Sequence, residues 1–280
     1  MLSSALMLLL AAAPAPQTWK GETNGHPEVS ITNVEGSIRV EGGEGKTVSV
    51  EVRGEGDTDV SKLFRVEQDG EDEVEIQVCC GPCEKNSRAN CRNPPAVHLV
   101  VKVPRETRLE VTTVTAPVKV AGVTGEQELT AVSGDVSTSG SRGKLEVTSV
   151  SGNVDLTPDA LADTAVSTVG GNVKLKLPRG AGAEVKFSSV GGRFNGRSVD
   201  LGSAHQRYGQ GEHKVEVSTV GGTLDVRAAH VDLLADQIPR RALAGARDRH
   251  TGHVVPVALL LHVARRHLER ASERRPRGRH

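Results

Sequence analysis

Aromatic residues are nearly missing from this 280-residue chain: Phe, Trp and Tyr make up 2% of it, with one Trp and one Tyr. A conventional globular core and a carbohydrate-stacking cleft both draw on more aromatic surface than that. Net charge is missing too, since 35 basic residues balance 35 acidic ones. Nucleic acid is not expected as a partner, because that needs a placed array of charge. Long apolar runs are absent. The apolar core within residues 1–16 and the stretch Val254–Ala264 both fall short of the roughly 20 residues of a membrane helix, so no membrane span is expected. No nucleophile elbow, Walker-type loop or zincin motif is present, and Gly180-Ala181-Gly182 leads into no phosphate cradle.

Cysteine is scarce and clustered: Cys79, Cys80, Cys83 and Cys91 are all there is. Three readings compete. Cys80-Gly81-Pro82-Cys83 spells a thioredoxin-like redox motif, but strand patterns flank it and no βαβ unit does. The same spacing could hold zinc. An even number of clustered cysteines in an exported chain more often forms disulfides, which is the reading adopted. Three pairings are open, with adjacent Cys79 and Cys80 expected to take different partners. No catalytic, cofactor or metal site is expected. His98, His205 and His213 are scattered and read as surface residues.

What the chain does have is a repeat. Val114, Val132, Val150, Val169, Val190 and Val220 each sit in a short copy of one motif, clearest in Ser149-Val150-Ser151-Gly152-Asn153-Val154. The steps between these valines are 18, 18, 19, 21 and 30 residues. Apolar and polar residues alternate on both sides of the Gly corner, which is strand patterning. A step of about 18 is too short for a strand plus a helix and enough for one coil of extended chain. The expected fold is therefore all-β: a β-solenoid of about 18–21 residues per coil over 105–227, capped by an N-terminal β-region at 27–104 that carries the Cys-rich loop. The six valines are expected to stack inside, with Val118, Val136, Val154, Val173, Phe194 and Leu224 as a second inner column. Gly134, Gly152, Gly171, Gly192 and Gly222 are expected at the corners for their backbone freedom. Asp135, Asn153 and Asn172 should share a corner column, read as turn formers before any cation or sugar site.

The two ends differ from this body. Residues 1–16 read as an export signal, with an apolar core followed by small residues, although no Lys or Arg precedes the core. No Cys follows at once, so a lipid-anchored signal is not expected. Residues 228–280 hold 11 Arg, no Lys and five acids. They show no alternation and read as a basic, disordered tail.

The early Val34-Glu35-Gly36-Ser37-Ile38 motif, the Val100-Val101-Lys102-Val103-Pro104 strand and the serial Val-Ser-Gly-Asp-Val and Val-Ser-Gly-Asn-Val units together resemble the bacterial putative-adhesin family, over about residues 27–227. That resemblance implies an exported adhesin-like β-solenoid with no catalytic residues to carry over. The Cys-rich loop and the tail depart from the family pattern. The expected role is a non-catalytic surface or envelope protein, in the periplasm, on the outer surface or outside the cell, meeting an unknown protein or glycan partner. A carbohydrate-active β-helix enzyme and a thiol redox protein are the alternatives. Oligomeric state is left open.

Overall fold

The computed structural model describes residues 15–83 and 93–228. Among these residues there are nineteen strands and no helix. The first seven are β1 (Gln17–Glu22), β2 (Glu28–Asn33), β3 (Gly36–Gly43), β4 (Thr47–Gly54), β5 (Phe64–Asp69), β6 (Glu73–Val78) and β7 (Val97–Pro104). Next come the short pairs β8 (Arg108–Thr113) and β9 (Val118–Ala121), β10 (Gln127–Ala131) and β11 (Val136–Ser139), β12 (Leu145–Ser149) and β13 (Val154–Thr157), β14 (Thr164–Thr168) and β15 (Val173–Leu177). The hairpin β16 (Ala183–Phe194) and β17 (Arg197–Tyr208) follows, then β18 (His213–Thr219) and β19 (Thr223–Ala228).

Each short pair is one coil, with a tight corner between its two strands. Equivalent strands stack in parallel, so the coils build two long rows. One row runs β5, β6, β2, β8, β10, β12, β14, β18, β16, β17. The other runs β1, β4, β7, β3, β9, β11, β13, β15, β19, and the end of β16 pairs with β19. This is the all-β solenoid that the motif step implies.

The core lies between the rows and is almost wholly aliphatic. Ile38, Val118, Val136, Val154, Val173, Leu224 and Phe194 form one buried column, as expected. Ile31, Val111, Leu129, Val147, Val166, Val217 and Phe187 face it from the other row. Stacking like on like at roughly 4.8 Å fills the interior without aromatic bulk, and only Phe187 and Phe194 close the last coils as a stacked pair.

Three expectations are corrected. First, Val114, Val132, Val150, Val169, Val190 and Val220 are exposed, at 41–53% of their full area, and form an outer ridge. The inner place belongs to the residue before each: Thr113, Ala131, Ser149, Thr168, Ser189 and Thr219 are all buried. In Leu145-Glu146-Val147-Thr148-Ser149-Val150 the inward phase is Leu145, Val147, Ser149, so Val150 must point out. Second, the coils are not stacked in chain order. β18 and β19 lie directly on β14 and β15, and β16 lies outside them. Third, the corner glycines at 134, 152, 171, 192 and 222 have no positive φ. They are small because a Cβ there would strike the backbone of the adjoining coil, as at Gly152 against the carbonyl of Gly134.

Within 27–104, β2 and β3 are themselves a coil of the stack, seated on β8 and β9. Val34 thereby joins the ridge, its carbonyl accepting the Thr115 N–H at 2.9 Å. Ahead of this region β1 pairs antiparallel with β4. The export signal up to Pro14, Cys91 and all but the first residue of the tail lie outside the described residues.

Candidate functional site

The site is built at the corner and spreads across one face. At four corners a buried hydroxyl accepts the N–H of the residue three places on: Thr113 from Ala116, Ser149 from Gly152 and Thr168 from Gly171, each at 3.2 Å, and Thr219 from Gly222 at 2.9 Å. An inward-turned N–H would otherwise be stranded in an aliphatic core, which costs about 1–3 kcal/mol. The bond pins the corner and holds the intervening valine outward on these four rungs.

Outward positions of the adjoining row are then fixed by alternation, and they form columns. Beside the valine ridge runs a hydroxyl column: Thr32, Thr112, Thr130, Thr148, Ser167, Ser218 and Ser188. Next comes a carboxylate column, Glu110, Glu128 and Glu146, in direct register on three successive coils. The outermost column alternates in sign. Arg108 stands between Glu28 (3.9 Å) and Glu126 (4.0 Å), and Glu126 also meets Lys144 at 2.9 Å. Lys144 holds the Glu126 carboxyl below its ordinary range, by hydrogen bond first and charge second. Lys186, 2.6 Å from Glu216, does the same to that carboxyl.

Across the corner from the ridge, Asp135, Asn153 and Asn172 do share a column. The Asn153 amide donates to Asp135 at 3.2 Å, Asn172 donates to Asn153 at 3.2 Å, and Thr223 donates to Asn172 at 2.7 Å. Their polar atoms are spent on one another, as a ladder that ties four coils together. Missed by sequence reasoning were the hydroxyl and carboxylate columns. Their signal was available: Glu-x-Thr recurs directly before the corner residues Thr113, Ala131 and Ser149, at Glu110-Val111-Thr112, Glu128-Leu129-Thr130 and Glu146-Val147-Thr148.

The other expected candidates stand apart from this face. Cys79 and Cys83 are joined by a disulfide at the foot of the β5–β6 hairpin, and Cys80 is disulfide-bonded as well. His98 bonds to Ser37 (2.9 Å) and His205 to Ser203 (3.4 Å). Among the described residues no group of three or more His, Cys, Asp or Glu is placed to hold a metal ion. None of the described residues forms a helix long and apolar enough to cross a membrane.

A stack of coils with laddered, outward-facing columns defines a repeat scaffold whose distinctive chemistry lies on its surface. Residues 105–227 match the family model described as Toastrack DUF4097. The family likeness read from the motifs is therefore sound. Three solved structures are similar over most of the chain. A "putative cell adhesion protein" from Clostridium sporogenes is 15% identical, with a TM-score of 0.45, covering 77% of this chain and 99% of that one. A "putative lipid binding protein" from Parabacteroides distasonis is 10% identical, with a TM-score of 0.36, covering 77% and 97%. A "putative adhesin" from Bacteroides fragilis is 12% identical, with a TM-score of 0.28, covering 76% and 98%. No curated protein matches the sequence.

Proposed function

We propose that this chain is a non-catalytic, exported surface or envelope scaffold that binds a protein or glycan partner through its laddered face. The observation that carries the reading is the valine ridge with the threonine and glutamate columns beside it. Seven rungs at about 4.8 Å make a contact line of roughly 29 Å. Exposed apolar area of that extent marks interaction sites more often than bare surface. The described cysteines support an oxidising compartment, since disulfides persist there and are rare in the cytosol.

The test is binding of the purified chain to isolated bacterial envelope fractions. Val150→Lys with Val169→Lys should lower binding at least tenfold while the circular dichroism spectrum stays unchanged. Equal binding by the variant would remove the ridge from the reading. Glycan turnover abolished by Glu128→Gln would favour a carbohydrate-active enzyme instead. Two or more reactive thiols in the native protein would favour redox chemistry. Cell fractionation with mass spectrometry of both termini tests export.

A further inference from the structure

A solenoid has two open ends, and here they carry opposite charge. At one end β5 pairs only with β6 among the described residues, and its other edge is free of backbone partners there. The hairpin 64–78 has six acids, Glu67, Asp69, Glu71, Asp72, Glu73 and Glu75, against one base, Arg65. At the other end β17 pairs only with β16 among the described residues. The hairpin 183–208 has four bases, Lys186, Arg193, Arg197 and Arg207, with His205, against two acids.

We infer that copies of this chain associate head to tail, the acidic β5 edge of one adding to the basic β17 edge of the next. Direction permits it. β6, β2, β8, β10, β12, β14, β18 and β16 are all parallel, and β5 and β17 each run antiparallel to their inner neighbour. A copy translated along the axis thus sets β5 beside β17 in parallel, as on every inner rung. β17 bends at Leu201, which has φ 47°, opposite the Val190 corner of β16. Its first half therefore continues one row and its second half the other, where β1 and β5 of the next copy would meet them. Charge also selects the mode. Pairing of β5 with β5, or of β17 with β17, brings like charges together, whereas β5 with β17 brings opposite ones. Such a heterologous contact does not close on itself, so it extends as a filament. Exposed edges are the usual route to strand addition.

The experiment is sedimentation velocity on the full chain over a concentration series at low and high salt. Mean mass should rise with concentration and fall with added salt. Glu67→Lys with Asp69→Lys, and separately Arg197→Glu with Arg207→Glu, should each sediment as a monomer with unchanged circular dichroism. In the first variant the edge strands β5 and β17 are both basic and in the second both are acidic, so a 1:1 mixture should assemble again. A wild-type chain that stays monomeric throughout overturns the inference. So does a mixture that fails to assemble, or assembly indifferent to either reversal. Val150→Lys, which tests the ridge, leaves this association unchanged, so the two readings fail separately.

Discussion

At five of the corners a single methyl group decides whether the next coil fits. Gly152 lies against the Gly134 backbone and Gly222 against Gly171, with no room for a Cβ. Gly170, one place earlier in the motif, has its nearest such atom 3.9 Å away. Gly152→Ala should therefore cost about 1–3 kcal/mol, the range for overpacking, while Gly170→Ala stays within about 0.5 kcal/mol. Chemical denaturation of the two variants side by side checks this. Ser149→Ala should cost about 1–3 kcal/mol, because the Gly152 N–H loses its acceptor in the core. The corners themselves were legible from Gly and Ser/Thr spacing. Their cause was not, since a sequence does not distinguish a glycine needed for φ from one needed for space.

Among strands, the question is which phase faces in. Alternation was readable, and it placed Val118, Val136, Val154 and Val173 correctly in the core. It failed at Val150 because the corner reverses the phase, and hydrophobicity alone suggested the inside. The buried small hydroxyl and the exposed valine are the inverse of what composition favours. The two sites should answer differently to the same change. Val150→Lys should leave the unfolding midpoint within experimental scatter, whereas Val147→Lys, at a fully buried site, should prevent folding. Temperature melts of both variants are the check. The charged column adds a weak pH dependence. The folded Glu126 carboxyl lies below its ordinary range. Its contribution is therefore present above the unfolded carboxylate range and is lost as pH falls through the folded value. The pair is exposed, so the loss should be shallow, and Lys144→Ala should flatten it in acid titrations of stability.

For the molecule as a whole, the length of a coil was legible and the stacking order was not. The steps of 21 and 30 residues hid a hairpin that lies outside the coil following it. β1 and β17 went unseen because edge strands bury no continuous face and so carry little inward alternation. Since β18 and β19 stack directly on β14 and β15, a chain with 183–211 replaced by a short loop should still fold. It should be less stable, having lost the buried Phe187. Far-ultraviolet circular dichroism and a denaturation curve would show both.

That interleaving also bears on how the chain comes together during synthesis. The berth between β14 and β16 stays vacant until residues 213–228 have left the ribosome, because its occupant is made last. Until then β16 can settle prematurely on β14, a mispairing that matches strand with strand and must be undone. Closure of the described stack thus waits on this rung, and a pause in translation once Tyr208 but not His213 has emerged should trap the wrong neighbour.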